Sequence, residues 1–344
     1  MQVGFVYDPI YLQHNTGQHV ENATRLEAMI AYLEQTQLKQ QLTSIKPRPA
    51  TMEELSRAHH EPHISHVQEV AQRGGGWLDA DTVMSPGSYN AALYAAGGAI
   101  RATEAVMSGE ITSAFALVRP PGHHATSQRA MGFCLFNNAA ITAKYILATY
   151  KLDRILIIDF DVHHGNGTQE IFYDNPQVLY ISTHQYPFYP GTGNIEEIGF
   201  GEAKGTTINI PLPSGCGDNE YLSVFEQIIV PAVKRFNPQF MLISAGYDPH
   251  WADELALMQV STSSFAQIAK ITQELSAELC NNRLVFILEG GYNLNALATS
   301  VKATFDVLMG NPDTEDPLGQ PLHRSPPPSI NHLIKAIKGT HTLP

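Results

Sequence analysis

The sequence is short of cysteine, of positive charge and of long apolar runs, and each shortage removes a class of protein. Its three cysteines, Cys134, Cys216 and Cys280, lie far apart with no Cys-x-x-Cys pair. An odd count at such spacing argues against a disulfide framework and a thiolate zinc site, and fits a reducing compartment. No apolar run approaches the roughly 18 residues needed to span a bilayer. Lys plus Arg number 21 against 33 Asp plus Glu, a net charge of -12. That balance opposes a nucleic-acid binder held by phosphate contacts, whereas a cationic substrate is tolerated. There is no Gly-x-Ser-x-Gly elbow, no P-loop and no dinucleotide fingerprint. The nearest glycine cluster, Gly199-Phe200-Gly201, leads into charged loop residues. The segment Met1 to Tyr7 has no basic n-region and runs straight into a strand-like stretch, so neither a signal nor a transit peptide is expected and cytoplasm is the default compartment.

What is present describes an ordinary globular chain: 344 residues, 43% hydrophobic and 16% charged, long enough for one large α/β unit. Short apolar runs recur at Val3 to Tyr7, Ala114 to Val118, Ile155 to Phe160, Val178 to Ser182, Phe240 to Ala245 and Leu284 to Leu288. Helix-compatible segments lie between most of them, at Tyr89 to Met107, Asn138 to Thr149, Tyr221 to Phe236 and Ser264 to Leu279. This alternation predicts an α/β fold, a parallel sheet covered on both faces. Ligands of such sheets bind beyond the carboxyl ends of the strands. Polar clusters follow four of the runs: Arg119 to His124, Asp159 to His164, Gly246-Tyr247-Asp248 and Glu289 to Tyr292. Near the end, Pro317 to Ser329 reads as an extended proline-rich segment and Ile330 to Ile337 as a short helix.

The most informative stretch is Ile157-Ile158-Asp159-Phe160-Asp161-Val162-His163-His164-Gly165. A carboxylate and an imidazole at i and i+2 on extended backbone point to one side, so Asp161 and His163 can reach one ion. Asp248, behind Gly246 at another strand end, is the candidate third ligand; alone, an Asp there is more often a cap or turn former. His123 and His124 follow the rigid turn Pro120-Pro121-Gly122 and suit proton exchange with a metal-bound water. Asp159 is placed to orient one of them. His59-His60, in a polar helix-like stretch, reads as a surface pair. Tyr292 follows two glycines that allow close approach; it reads either as a core tyrosine or as a hydrogen-bond donor to an oxyanion. Phe133 and Tyr189 are candidate walls of a narrow apolar channel, whereas Phe136 and Phe188 read as core.

Five ordered motifs, Arg119-Pro120-Pro121-Gly122-His123-His124-Ala125, Gly132-Phe133-Cys134-Leu135-Phe136-Asn137-Asn138, Asp159 to Thr168, Ser244-Ala245-Gly246-Tyr247-Asp248 and Leu288-Glu289-Gly290-Gly291-Tyr292, resemble the zinc-dependent histone deacetylase family, which includes bacterial deacetylase-like amidohydrolases and acetylpolyamine amidohydrolases. The resemblance runs from about Tyr7 to about Met309. It implies an arginase-like three-layer fold with about eight mostly parallel strands, a catalytic domain over residues 1–310 and a trailing segment over 311–344. Position by position it makes Asp161, His163 and Asp248 the ligands of one Zn2+, His124 the general base and acid, His123 its electrostatic partner backed by Asp159, and Tyr292 the carbonyl-polarising hydroxyl. Asn166 stands where some members have Asp, as in the class II and bacterial branch, and would leave His124 less cationic. The family often carries a structural K+ near Asp159, Asp161, His163 and a hydroxyl matching Ser182.

Arginases of the same fold need further carboxylates for two manganese ions. Gly165 and His250 stand at those positions here, so the resemblance favours one metal, zinc or iron. The family's amino-terminal His-Pro-Glu reads His19-Val20-Glu21, and its tunnel aromatic, often Phe, is Tyr189. The implied substrate is acetyl-lysine on a protein or peptide, reached through a tunnel at Phe133, Tyr189, Gly132 and Leu255. An acetylated polyamine or other small acetyl amide is the alternative, since Asp253 and Glu254 lie close to Leu255. A non-catalytic acetyl-lysine binding protein is a third reading. Neither nucleic acid nor membrane is an expected partner, and the sequence does not specify an oligomeric state.

Overall fold

The computed structural model describes residues 2–311, 316–321 and 326–344; the part of the expected extended segment at 322–325 therefore lies outside the described residues. The strands are β1 (Val3–Val6), β2 (Thr43–Ile45), β3 (Gly76–Trp77), β4 (Val83–Met84), β5 (Ser113–Ala116), β6 (Ile155–Asp159), β7 (Val178–Gln185), β8 (Thr207–Leu212), β9 (Phe240–Ala245) and β10 (Leu284–Leu288). Eight of them form one sheet in the order β2-β1-β5-β10-β9-β6-β7-β8, and every pairing in it is parallel. β3 and β4 form a separate antiparallel hairpin.

All residues of β5, β6, β9 and β10 are buried, which is why these strands read as unbroken apolar runs: helices cover both faces and leave no wet side to alternate with. One group of helices pairs Ser88–Met107, which packs on β1, β5 and β10, with Asn138–Tyr150, which packs on β9 and β6; a second joins Thr24–Gln35, Leu294–Leu308 and Thr262–Leu279. The helix Asn331–His341 rests against β8.

Register decides where the strands end. Asp159 is level with Ser244 on β9 and with Ser182 on β7, and Leu288 is level with Ala245. The central strands β5, β10, β9 and β6 thus release their polar clusters side by side. Two of the following helices start under side-chain caps: Asn137 Oδ1 accepts from Ala140 N at 2.9 Å and Asn293 Oδ1 from Ala296 N at 3.0 Å. Each cap contributes about 1 kcal/mol and fixes the helix start immediately after a motif.

Two expectations change. The single helix over Tyr221 to Phe236 is three successive pieces, Asp218–Val224, a π turn Phe225–Ile229 and Val230–Phe236. Pro231 has no N–H to give the preceding turn, and the wider π turn absorbs that gap. β2 and β8 have no counterpart in the sequence reading, because β2 is three residues long and β8 contains Pro211. A proline is tolerated there since β8 is an edge strand.

Candidate active site

Asp161, His163 and Asp248 converge with ligand atoms all within 4.8 Å of one another. The route differs from the expected one. β6 ends at Asp159, so Asp161 and His163 sit in the bend beyond the strand rather than on extended backbone. Main-chain bonds shape that bend: His163 N donates to Asp161 Oδ1 at 2.9 Å, Val162 N to Asp248 Oδ1 at 2.9 Å and Gly290 N to Asp161 Oδ2 at 2.8 Å. Three strand ends are cross-tied through the candidate ligand carboxylates themselves. Side chains at Gly246 or Gly290 would destroy this: a Cβ on Gly246 would lie 2.2 Å from Asp161 Oδ2, and one on Gly290 2.3 Å from Asp248 Oδ2.

The donor set fits a divalent cation. His163 Nδ1 lies 3.0 Å from Asp161 Oδ1 and 3.2 Å from Asp248 Oδ2, and Asp248 Oδ2 is a fully buried oxygen with no hydrogen-bond partner. A buried carboxylate oxygen left unpaired is costly, and a cation between these atoms removes the cost. Burial works against a charged His163, yet the two carboxylates outweigh it and push its pKa up to about 9. Burial and the Asp161 charge push Asp248 up to about 7. A positive centre is wanted where the three meet. Gly165 gives no space for a further carboxylate, since a Cβ there would lie 2.1 Å from Asp159 Oδ2.

A second set of donor atoms, on His123, Cys134 and Glu289, also falls within 4.8 Å, but each is engaged elsewhere. His123 Nδ1 is 3.0 Å from Asp159 Oδ2, Cys134 Sγ donates to Gly132 O at 3.3 Å, and Glu289 accepts from Gly122 N at 2.7 Å and Ser244 Oγ at 3.0 Å.

The tandem histidines are buried, with ring centroids 4.0 Å apart. His124 Nδ1 lies 2.8 Å from Asn166 Oδ1, an amide orientation supported by Asn166 Nδ2 donating to Met131 Sδ at 3.4 Å. With Nδ1–H donating to Asn166, Nε2 is the free acceptor of the neutral ring. Their environments push the two imidazoles apart. Burial opposes a charged His123, but Asp161 and Asp159 raise it well above the ordinary value. His124 is driven well below it by burial and then by His123 and His163.

Tyr292 closes the other side. Its ring packs edge-on to Phe133 at 6.0 Å, with the Arg25 guanidinium 5.0 Å from its centroid. Burial and the charge of Asp248 raise its hydroxyl pKa well above 10, so the phenol stays protonated and able to donate. Gly132 and Phe133 both adopt positive φ, +54° and +69°, an unusual conformation for an aromatic residue. It aims the Phe133 ring between Tyr292 and His19, whose centroid is 4.5 Å away. Tyr189 stands edge-on to His124 at 5.1 Å. Leu255 lines a cavity of about 550 Å3 shared with His19, Val20, Asp253, Glu254 and Tyr292. Ser182, across the strand pair from Asp159, is buried with Oγ 2.9 Å from His184 Nδ1.

One reading is sharpened and one corrected. Phe188 packs against the core only by one side: it is half-buried and also stacks on His163 at 5.3 Å and 19°. His59 is not at the surface. It is 1% exposed, between Thr126 O at 2.9 Å and Asn137 N at 2.8 Å, while His60 is exposed. Sequence reasoning names Glu21 and Arg119 only as motif members with no role and does not reach Arg25; all three are fully buried. Arg25 donates to Gly291 O at 2.7 Å and Glu289 O at 2.6 Å, bracing the loop that carries Tyr292, and Glu21 joins Arg25 to Arg119. The i,i+4 spacing of Glu21 and Arg25 was the available signal.

Known proteins resemble this chain in sequence and fold. The family model described as Histone deacetylase domain matches residues 19–308. A protein of Arabidopsis thaliana named Histone deacetylase 14, chloroplastic, is 38% identical over 351 residues, spanning 96% of this chain and 83% of that protein. A probable deacetylase of Archaeoglobus fulgidus is 39% identical over 355 residues, spanning 99% and 98%. Among solved structures, the crystal structure of the HDA15 HD domain matches with a TM-score of 0.90 at 33% identity, covering 99% of this chain and 94% of that one.

Proposed function

Because the chain belongs to the histone deacetylase family and is a deacetylase, we propose that it hydrolyses the acetyl amide of acetyl-lysine in proteins or peptides, with one zinc ion held by Asp161, His163 and Asp248. The observation that carries this reading is the meeting of those three donors around the unpartnered Asp248 Oδ2. Zinc at that point supplies Lewis-acid polarisation and activation of water. Neutral His124 takes a proton from the attacking water at Nε2 as the new C–O bond forms. It returns that proton to the nitrogen as the C–N bond breaks, and the second water proton passes from the new carboxyl to the amine, giving acetate and an ammonium group. His123, whose charged form Asp161 and Asp159 favour, adds positive charge beside the developing oxyanion. The Tyr292 hydroxyl donates a hydrogen bond to that oxygen, a contribution typically worth about 100-fold or more in rate. Phe133 and Tyr189, with Phe188 behind them, wall the path of the lysine methylenes past Gly132 and Leu255. A structural potassium ion beside Asp159, Asp161, His163 and Ser182 belongs to the same proposal. So does a cytoplasmic location, which rests on three unpaired buried cysteines; the Arabidopsis relative is named chloroplastic, and no helix among the described residues is long and apolar enough to cross a membrane.

Small acetylated amines are the second reading, favoured by Glu254 at the cavity beside Tyr292, where a carboxylate would meet a second ammonium group. Turnover of an acetyl-lysine peptide against acetylspermidine separates the two. Tyr292→Phe should lose at least about 100-fold in kcat, and full activity would remove the proposed role of Tyr292. Protein purified without added metal should hold close to one zinc or iron per chain, and two manganese ions would point to ureohydrolase chemistry.

A further inference from the structure

Tyr292 follows Gly290-Gly291, with Gly291 at φ +112°, so the local backbone does little to hold it. It also borders the open cavity of about 550 Å3. A donor useful only when aimed at one atom is thus carried on a permissive loop. The carbonyl side of that loop is gripped by Arg25, through Glu289 O and Gly291 O. The amide side is gripped by Asp253.

Asp253 is 5% exposed. Its Oδ2 accepts from Tyr292 N at 2.6 Å and from Asn293 N at 2.9 Å, and its Oδ1 accepts from Leu255 N at 3.0 Å. Asn293 in turn returns a side-chain bond to Ala252 O at 2.9 Å. One buried carboxylate therefore ties the main chain of the tyrosine to the loop carrying Leu255, 39 residues away in sequence from Asp253 to Tyr292. We propose that Asp253 is a positioning residue for Tyr292: it fixes the tyrosine main chain, and through it the phenol, without touching substrate. The inference rests on the reading of Tyr292 as the oxyanion donor.

The chemistry of the clamp makes Asp253→Asn informative. Three N–H groups use both carboxylate oxygens, and an amide of the same shape has one acceptor oxygen only. At least one N–H then faces an NH2 group, and the loop must shift. A misplacement on the order of 1 Å at a catalytic group costs roughly 100-fold. The test compares wild type, Asp253→Asn, Tyr292→Phe and the double variant on an acetyl-lysine peptide, with metal content measured on each. Asp253→Asn should lose roughly 30- to 100-fold in kcat, with KM within about 3-fold of wild type and full metal. The double variant should be no worse than Tyr292→Phe, because a clamp with nothing to position has no further effect.

If the double variant loses the full Asp253→Asn factor on top of Tyr292→Phe, Asp253 is structural and the inference is overturned. If Asp253→Asn matches wild type while Tyr292→Phe is inactive, the inference fails and the tyrosine reading stands. If Tyr292→Phe itself is fully active, the tyrosine reading fails and takes the clamp with it. Wild-type protein gives an answer even where Asp253→Asn does not fold. The Tyr292 and Asn293 amides should exchange hydrogen roughly a thousandfold slower than an open loop, and exchange at open-loop rates would overturn the clamp.

Discussion

Replacing Glu21 by Gln should weaken the protein more than a single neutral-for-charged substitution ordinarily does. Glu21, Arg25 and Arg119 are each 0% exposed, and Glu21 is the anion shared by both guanidiniums. Arg25 Nη1 reaches Oε1 at 3.1 Å, and Arg119 reaches Oε1 through Nε and Oε2 through Nη2, the latter at 2.8 Å. A glutamine leaves two buried cations without a counter-charge. Breaking one buried pair by removing a partner costs about 3–5 kcal/mol, and with two pairs broken at once the upper end applies, about 5 kcal/mol. For 344 residues the unfolding entropy at the midpoint is roughly 0.7 kcal/mol per kelvin, so Tm should fall by about 7 °C. Calorimetry or urea melts at pH 7 measure this directly. The deficit also has a pH signature. Burial pushes the Glu21 carboxyl up, but the Arg119 charge and the hydrogen bonds from His14 and Arg119 hold it well below the carboxylate range. A depressed folded pKa stabilises above the unfolded value of about 4 and is lost as pH falls through the folded one. The gap between wild type and Glu21→Gln should accordingly be constant above pH 5 and close in strong acid. A Tm shift under 2 °C at pH 7 would refute the reasoning, since it would mean the guanidiniums are satisfied by Tyr11, His14, Glu289 and Gly291 carbonyls alone.

Other perturbations follow from the same geometry. Gly132→Ala places a Cβ 2.4 Å from His124 Cδ2 at a residue held at φ +54°; kcat should drop by roughly 100-fold with metal content unchanged, and wild-type turnover would show that the imidazole moves freely. His59 is held down to about pKa 3 by burial and the neighbouring His63. The unfolded chain then binds a proton that the fold refuses, and stability falls as pH drops from about 6.5 towards 3, by up to about 1.4 kcal/mol per unit. In His59→Gln the urea midpoint should decline less steeply between pH 7 and pH 4, and parallel curves for the two proteins would contradict the assignment.

Legibility in the sequence tracked burial. The central strands have no wet face and so show as unbroken apolar runs, and their polar followers stood out against them; Asp161, His163, Asp248, His123, His124 and Tyr292 were all singled out on that contrast. Edge strands gave no such contrast, and β8 hid behind Pro211. His59 looks like a surface residue in sequence because its neighbours are polar, whereas what holds it inside is Thr126 and the start of the helix at Asn137, more than 60 residues on. The stacking of Phe188 on His163 leaves no mark in sequence, because the same aromatic also packs at the margin of the core. Asp253 and Glu289 bond mostly to main-chain N–H groups, which every residue except proline carries, so the sequence names these two carboxylates without showing what they hold.

The place of β10 has a consequence for how the molecule is made. It lies between β5 and β9, yet of the sheet strands it is the last to leave the ribosome. Until residue 288 is available, β2-β1-β5 and β9-β6-β7-β8 are two separate sheets, each with an unpaired parallel edge. From Ala245, the end of β9, to Leu288 is 288 − 245 = 43 residues, or roughly two to nine seconds of synthesis at 5–20 residues per second. During that interval the open edges of β5 and β9 invite the wrong partner strand. The same event that seals them delivers Glu289, Gly290 and Tyr292, so closure of the sheet and arrival of the proposed oxyanion donor fall together in one step.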